Sequence, residues 1–390
     1  MKDFDLLNRT KIVFGKDAEA QIGDYAVKYG KKALLHYGGG SVIKSGLYDR
    51  VKQSLTEKGI EITELGGVQP NPIVELCYKG IEICKTQNID MIVAIGGGSV
   101  IDSAKCIAFG AKYDGDVWDM CCGKVEAKDD KLPLLTVITM AGSGTEVSPG
   151  AVITRDADKL KRGFGNNFVR PDVSFVNPEL TYTLPPYQVA AGGVDVAVHC
   201  LERVLSAKME SEITENWALA TAKAAFKYTK LSLENPTDYD TRAQLSYASM
   251  YAMMGWLHSG IETDGVLHPV EHELSAKYNM THGAGLAILL PAYLKYTAKP
   301  CEGRVAKILH ELFDVPYDMA NMQNTINEGI FRLENYLKSI GMPTRLRDCG
   351  IDDKDFKELA HKTVFDRGGI TGHMYPLDED KIVELLYVAL

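Results

Sequence analysis

Three short apolar runs in the first half of the chain each end in a cluster of glycines and are followed by a helical pattern. The runs and their turns are Lys32–Tyr37 with Gly38–Ser41, Asp90–Ile95 with Gly96–Ser99, and Leu132–Thr139 with Ala141–Thr145. Apolar runs that alternate with amphipathic segments are typical of a parallel sheet whose faces are covered by helices. The pattern therefore predicts a Rossmann-like α/β domain, with Val42–Lys58 and Val100–Ala111 as two of its helices.

A turn-rich segment, Asn177–Gln188, separates this half from a second half of different character. Beyond it, long windows show the apolar spacing of helices: Val194–Leu205, Asn216–Leu233, Thr241–Trp256 and Asn324–Leu337. We therefore predict two domains, an α/β N-terminal domain over residues 1–186 and an all-α C-terminal domain over residues 187–390.

Composition excludes several kinds of partner. The 390 residues carry a formal net charge of −9, and nucleic acid and anionic lipid both require a concentrated positive surface, so we expect neither as a partner. Residues 1–10 lack the apolar core of a signal peptide, and the apolar stretch Gly283–Leu294 is too short to span a bilayer. The 8 cysteines include no CxxC pair, which favours free thiols and a cytoplasmic protein.

The glycine turns are suited to phosphate binding. A strand that leads through Gly97, Gly98 and Ser99 into a helix presents backbone N–H groups and the positive end of the helix dipole to an anion. Neither GxxxxGK[ST] nor GxGxxG occurs, but three such turns on one sheet favour a long dinucleotide at the carboxyl ends of the strands. The alternative is three ordinary connections. Asp102, in the first helical turn, fits a ribose contact and a simple helix-start carboxylate equally well.

The first turn indicates which dinucleotide is bound. NAD-selective sites usually hold the ribose 2′-hydroxyl with a carboxylate that follows a strand, and such a charge repels a 2′-phosphate. The segment from Gly38 and Gly39 to Lys44 contains no acid and offers the Ser41 hydroxyl and the Lys44 ammonium. We predict NADPH as the cofactor, with NADH as an alternative. The alternative interpretation of Lys44 is a solvated helix residue.

A metal site is predicted in the helical half. Asp195 and His199 are four residues apart and share one helix face, and His268 and His282 follow in a short histidine-rich window. One carboxylate and three imidazoles suit Fe(II) or Zn(II) better than Ca(II) or Mg(II). His272, one helical turn after His268, is a candidate proton donor. The alternative is a set of buried histidines without a metal.

These residues resemble the iron-containing alcohol dehydrogenase family, and within it the butanol dehydrogenase branch. The motifs that carry the resemblance run along the whole chain: Phe14-Gly15, Tyr37–Ser41, Pro70-Asn71-Pro72, Ala94–Ser99 with Asp102 and Lys105, Thr139–Glu146, Tyr182–Pro185, Asp195-x3-His199, His268-x3-His272 and His282-Gly283. Two departures are Met140 and Ser143, which stand where many relatives have Thr. A third is Pro269, which should start or kink its helix.

The resemblance implies a fold shared with dehydroquinate synthase, with a dinucleotide-binding domain and a helical metal-binding domain. It implies Asp195, His199, His268 and His282 as metal ligands and places His272 near the nicotinamide. Gly39 stands where NAD-preferring relatives tend to carry Asp. The positions that contact the cofactor by resemblance are Asn71, Gly97, Gly98, Ser99, Asp102, Thr139, Ser143 and Lys161.

The expected reaction is the reversible reduction of an aldehyde to a primary alcohol by NAD(P)H. Three alternatives remain at the level of sequence: a glycerol dehydrogenase-like polyol oxidoreductase, a dehydroquinate synthase-like lyase, and a catalytically silent NADP- or metal-binding protein. A lyase of that kind would require a basic cluster for an anionic substrate, and the motif segments named here supply mostly His, Met and Trp. On general grounds we expect a homodimer.

Overall fold

A computed structural model describes residues 1–205 and 210–390 of the chain. The described residues form eight β-strands: β1 Lys11–Phe14, β2 Lys32–Tyr37, β3 Glu61–Leu65, β4 Met91–Gly96, β5 Leu134–Ile138, β6 Gly150–Arg155, β7 Leu160–Gly165 and β8 Val173–Val176. Six of them form one parallel sheet in the order β1-β8-β5-β4-β2-β3, and β6 and β7 form an antiparallel hairpin. The sequence prediction of a parallel sheet is confirmed, whereas the hairpin was not predicted.

The sheet is buried on both faces, as an all-parallel sheet must be. Every residue of β4 is buried, and its side chains alternate between two apolar clusters. Ile92 and Ala94 join a cluster on one face, and Met91 and Val93 join a cluster on the other. The period of two that defines a strand therefore supplies both faces with core residues.

The described residues form fifteen α-helices: α1 Ile22–Ala26, α2 Ser41–Lys44, α3 Leu47–Thr56, α4 Val74–Gln87, α5 Gly98–Gly110, α6 Trp118–Cys121, α7 Pro186–Val204, α8 Glu212–Glu234, α9 Tyr239–Met253, α10 Leu267–Tyr278, α11 His282–Thr297, α12 Glu302–Phe313, α13 Met322–Ser339, α14 Phe356–Phe365 and α15 Glu379–Ala389. The four helical windows predicted in the second half fall on α7, α8, α9 and α13. Two details differ: α9 ends at Met253, before the predicted Trp256, and the single helix predicted over 42–58 is two helices. The break lies at Gly46, whose φ of 72° is left-handed.

Contacts divide the chain into two compact units. The sheet unit comprises Leu7–Leu184 and Thr237–Met254, and the helical unit comprises Met1–Leu6, Pro185–Pro236 and Gly255–Leu390. Helix α9 thus belongs to the sheet unit although it follows α7 and α8 in sequence. After Leu7 the chain passes from one unit to the other at three points, which follow Leu184, Pro236 and Met254. The predicted division at residue 186 lies close to the first of them, and the domains 1–186 and 187–390 stay a prediction.

Two smaller expectations concern the cysteines and membrane spans. All eight cysteines are free thiols, and five of them are buried. Among the helices of the described residues, none has the length and apolar character that crossing a bilayer requires. The apolar stretch 283–294 forms most of α11, which contains Pro291.

Candidate functional site

Three helices of the helical unit bring one carboxylate and three imidazoles together. Helix α7 carries Asp195 and His199, and Asp195 Oδ1 lies 3.5 Å from His199 Nδ1. The same Oδ1 lies 3.5 Å from His268 Nε2 on α10 and 3.6 Å from His282 Nε2 at the start of α11. Ligands of a tetrahedral ion with bonds near 2.1 Å are separated by about 3.4 Å, so these spacings fit a small transition-metal ion.

Close helix packing makes this geometry possible. Every residue of α7 from Val189 onward is buried. An added Cβ on Gly283, next to His282, would lie 1.9 Å from the Ala191 carbonyl oxygen of α7. A glycine at this position therefore lets the start of α11, with His282, approach α7 closely. Pro269 lies in the first turn of α10, where a missing N–H is tolerated.

His199 stands somewhat apart from the other three groups. The ligand atoms of Asp195, His268 and His282 all lie within 4.8 Å of one another and form one compact group. His199 adjoins Asp195 through Nδ1, and its ring stacks on that of His268 with centroids 4.5 Å apart. The structure thus brings together all four predicted ligands, with His199 at the edge of the group.

The unpaired atoms of this cluster test whether a metal fits. Asp195 Oδ1, His199 Nδ1 and His268 Nε2 are buried and have no hydrogen-bond partner. Separations of 3.5 Å are too long for good hydrogen bonds, and buried polar atoms without partners are costly. A cation bound between them would satisfy all three atoms. The mixed imidazole and carboxylate donors suit Fe(II) or Zn(II).

Two further carboxylates orient the imidazoles from outside. Glu202 Oε2 accepts a hydrogen bond from His268 Nδ1 at 2.6 Å, and Glu271 Oε2 accepts one from His282 Nδ1. Each ring therefore keeps its Nε2 lone pair directed toward Asp195, an arrangement found around ligated histidines. Glu202 Oε1 also accepts the backbone N–H groups of Leu267 at 2.8 Å and His268 at 3.2 Å, so it caps α10 as well.

Glu202 and Glu271 were not predicted as site residues. A signal for both is present, because Glu202 lies seven residues after Asp195 on α7, and Glu271 lies three residues after His268 on α10. Those spacings place each carboxylate on or near the ligand face of its helix. Pairing a particular carboxylate with a particular histidine required the packing of α7, α10 and α11.

The electrostatics of the cluster favour a positive charge at its centre. Burial raises the pKa of Asp195, but His199, His282 and His268 lower it by more, so Asp195 is ionised. Burial lowers the pKa of His268, yet Glu202 and Asp195 raise it to about 10 overall. Burial lowers the pKa of His199 to about 3, so its nitrogen keeps a free lone pair near neutral pH. The centre is therefore suited to a proton or a metal cation.

His272 lies beside this cluster on α10. Its ring centroid is 6.4 Å from that of His268 and 5.6 Å from that of His282. Ligand atoms of Glu271, His272 and His282 also fall within 4.8 Å of one another. His272 therefore lies near the proposed ligands, and both its role as proton donor and its place near the nicotinamide stay predictions.

In the sheet unit, the second and third glycine turns lie next to each other. Gly96 ends β4, and α5 begins at Gly98 with Gly97 as its N-terminal cap. The Thr139 N–H donates to the Gly96 carbonyl at 3.0 Å, and a Cβ on Gly98 would lie 2.5 Å from Ser143 Oγ. The start of α5, which includes Ser99, therefore has a helix N-terminus lined by backbone, as phosphate binding requires.

Asp102 and a buried lysine hold these turns in place. Asp102 accepts hydrogen bonds from Thr145 Oγ1 and, at 2.9 Å, from the Val152 N–H. Lys105, which is fully buried, donates to Thr145 Oγ1 at 2.8 Å and to the Ser148 carbonyl at 3.1 Å. Both oxygens of Asp102 are thus bonded within the sheet unit, and its ribose contact stays a prediction.

The remaining predicted cofactor residues occupy three places in the sheet unit. Gly38 and Gly39 follow β2, Ser41 begins α2, and a Cβ on Gly39 would meet no atom within 4 Å. Asn71 has a left-handed backbone with φ 56°. Lys161 lies on β7 opposite Thr154 and is mostly buried. Their contacts with a cofactor stay a prediction.

Comparisons with known proteins identify the family. Residues 9–178 match the iron-containing alcohol dehydrogenase model, and residues 189–390 match the C-terminal model of the Fe-containing alcohol dehydrogenase family. The chain is 38% identical over 388 residues to NADH-dependent butanol dehydrogenase A of Clostridium acetobutylicum, with 99% of each chain covered. It is 32% identical to the NADPH-dependent aldehyde reductase YqhD of Escherichia coli, with 93% of each covered.

The crystal structure of NADH-dependent butanol dehydrogenase A from Thermotoga maritima superposes with a TM-score of 0.95 at 35% identity, and the alignment covers 100% of this chain and 99% of that one. A structure of YqhD from Escherichia coli K-12 gives a TM-score of 0.95 at 30% identity with the same coverage. Family models that together span nearly the whole chain and full-length relatives above 30% identity agree with the resemblance found in the motifs. The chain belongs to the iron-containing alcohol dehydrogenase family.

Proposed function

We propose that this protein interconverts primary alcohols such as butanol and their aldehydes, using NAD(P)H and an Fe(II) or Zn(II) ion held by Asp195, His199, His268 and His282. The observation that carries the proposal is the spacing of three imidazole nitrogens at 3.5, 3.5 and 3.6 Å around the buried Asp195 Oδ1. The names of the relatives, butanol dehydrogenases and an aldehyde reductase, support the same substrate class.

The reaction is aldehyde plus NAD(P)H plus a proton giving primary alcohol plus NAD(P)⁺. When bound, the metal supplies a Lewis acid for the carbonyl oxygen, on which negative charge grows as hydride arrives from the cofactor. Asp195, His199, His268 and His282 would hold that ion in a buried site. His272 is the proposed proton donor to the alkoxide oxygen, because its ring lies beside those of His268 and His282.

The decisive test is NADPH oxidation with butyraldehyde, measured anaerobically on protein stripped by chelator and reloaded with Fe(II) or Zn(II). We expect metal-dependent turnover that Asp195→Ala abolishes. Asp24→Ala, which removes an exposed carboxylate paired with Lys58, serves as control and keeps wild-type turnover. Absence of turnover with either metal, or equal turnover with glycerol, would overturn the proposed substrate class.

We propose NADPH as the preferred cofactor. The open space at Gly39, the Ser41 hydroxyl and the Lys44 ammonium can receive a 2′-phosphate, although several relatives are named as NADH-dependent. Gly39→Asp introduces a carboxylate without a steric clash. We expect it to lower kcat/KM for NADPH at least tenfold and to leave kcat/KM for NADH within about twofold. A wild-type preference for NADH would contradict the assignment.

We also propose that the protein is a homodimer that works in the cytoplasm. Closed twofold symmetry is the commonest arrangement of soluble oligomers. Eight free thiols, five of them buried, suit a reducing compartment. Light scattering coupled to size exclusion gives the oligomeric mass, and cell fractionation gives the location.

A further inference from the structure

A loop near the C-terminus of the helical unit packs against the segment that precedes α10. The loop is closed by two backbone hydrogen bonds between Thr371 and Leu377, at 2.9 and 2.8 Å. Asp264 Oδ1 accepts the backbone N–H groups of His373 at 2.8 Å and Met374 at 2.7 Å. The Thr371 hydroxyl donates to the Gly265 carbonyl. The loop is therefore fixed to Asp264 and Gly265 at three points.

Gly372 shows how closely the two segments approach. Its φ of 93° is left-handed, and a Cβ on it would lie 2.6 Å from Val266 Cγ2. Only glycine fits here without displacing the loop. Three features therefore define the contact between the loop and this segment. They are the left-handed backbone of Gly372, the buried acceptor Asp264, and the close approach of Gly372 to Val266.

The same segment leads directly to a proposed metal ligand. The Asp264 N–H donates to the Glu202 carbonyl at 2.9 Å. The Glu202 carboxylate in turn holds Leu267 N–H and His268 Nδ1. The four-residue step from Asp264 to His268 is therefore anchored at both ends on Glu202, and the C-terminal loop holds it from the other side.

The buried carboxylate of Asp264 costs the folded protein stability. Its side chain is buried, and this burial raises its pKa to about 6, although the N–H groups of Met374 and His373 and the Tyr293 side chain lower it; the Glu202 carboxylate adds a smaller upward shift. A buried carboxylate of this kind costs stability relative to a neutral residue. We therefore assign its hydrogen bonds the role of fixing the position of the loop and not that of stabilising the fold.

We propose that Asp264 is a positioning residue: it holds the C-terminal loop against the segment before α10 and so fixes His268 in the orientation that binds the metal. This inference rests on the proposed metal site. It assigns the loop around residues 371–374 a part in metal affinity although no residue of the loop is a proposed ligand.

The test measures Co(II) binding to the full-length, chelator-stripped protein, by titration and by the visible absorption of bound Co(II). Asp264→Ala removes the acceptor for two N–H groups, and we expect about tenfold weaker Co(II) binding with a changed absorption spectrum. Asp264→Asn keeps an oxygen acceptor, and we expect binding within about threefold of wild type. Gly372→Ala, which displaces the same loop from Val266, should weaken binding in the same direction as Asp264→Ala.

The matched control is Asp378→Ala. Asp378 also accepts a backbone N–H, that of Lys381 at 3.0 Å, but this bond caps α15. We expect lower thermal stability and unchanged Co(II) affinity. Wild-type affinity and spectrum in both Asp264→Ala and Gly372→Ala would overturn the inference. Loss of the Co(II) spectrum from wild type itself, to the level of Asp195→Ala, would instead refute the proposed metal site.

Discussion

At the scale of single residues, the three histidines of the proposed ligand set differ in the contact that holds each ring. His268 and His282 each bond a carboxylate through Nδ1, which leaves Nε2 to face Asp195. His199 faces Asp195 through Nδ1 and is held by stacking on His268. The orientation of His268 therefore depends on Glu202, and a change at Glu202 should affect both His268 and the ring stacked on it.

Glu202→Gln should weaken metal binding by about 10- to 100-fold. Glu202 accepts three N–H donors with two oxygens, whereas glutamine has one carbonyl oxygen, which can serve either the start of α10 or His268 Nδ1. Metal affinity of the stripped protein is the measurement. Glu215→Gln is the control, because Glu215 is equally buried but pairs with Arg304 and Lys307. Equal losses in both variants would show a general packing effect.

Glu146 gives the sheet unit a stability that depends on pH. Burial raises the pKa of its carboxyl to about 7, against an ordinary value of 4.5. Between these values the folded state binds more protons than the unfolded state, so stability falls as pH rises from 5 to 8. Two and a half pKa units correspond to about 3 kcal/mol, most of which is lost within that interval.

Glu146→Gln should remove this dependence. We expect the variant to gain about 2 kcal/mol over wild type between pH 5 and pH 8, measured by urea unfolding at both values. Glu126→Gln changes an exposed residue of the same unit and should show no such gain. A constant difference between Glu146→Gln and wild type at the two pH values would contradict the assignment.

At the scale of secondary-structure elements, the sequence predicts best those turns, strands and helices that local sequence patterns determine. The three glycine turns, the strands before them and the long helices α7, α8 and α13 follow from local patterns. The break at Gly46 was missed because the apolar spacing continues across it on α2 and α3. The hairpin β6–β7 was missed because it pairs outside the parallel sheet and carries no glycine-turn signal.

The residues of the proposed site also fall into two groups, those that the sequence predicts and those that it does not. Asp195, His199, His268 and His282 could be identified because their residue types and spacing are chemically distinctive. Glu202, Glu271 and Asp264 could not, because a helical glutamate or a loop aspartate is ordinary until its partner is known. Their partners are 66, 11 and 109 or more residues away in sequence, and only tertiary packing brings them together.

Helix α9 supports the third glycine turn, and Ser249 makes the connection. Its hydroxyl accepts the Gly142 N–H at 3.0 Å and donates to the Gly142 carbonyl at 3.1 Å. Ser249→Ala leaves both buried groups without that partner, so we expect about 2 kcal/mol lower stability and about threefold to tenfold weaker NADPH binding. Denaturant unfolding and fluorescence titration measure the two effects. Ser232→Ala, at a buried hydroxyl without a partner, should change neither by a comparable amount.

At the scale of the whole molecule, the proposed ligands connect segments of the helical unit that lie far apart in the sequence. Asp195 and His199 lie on α7, whereas His268 and His282 follow only after the chain has passed through α9 of the sheet unit. An ion bound to all four residues would tie α7 to α10 and α11 in the folded state. The unfolded chain holds no such arrangement of donors, so binding adds directly to the stability of the helical unit.

Metal removal should therefore lower the stability of wild type and leave Asp195→Ala unaffected. At a free metal concentration about 1,000 times the dissociation constant, binding contributes about 4 kcal/mol, which corresponds to a midpoint shift of roughly 10 °C for a unit of this size. Scanning calorimetry with and without chelator measures the shift. Asp195→Ala should melt at the same temperature in both conditions, because it has lost the carboxylate around which the three imidazoles are spaced. An equal chelator effect on both proteins would mean that the ion binds elsewhere in the chain.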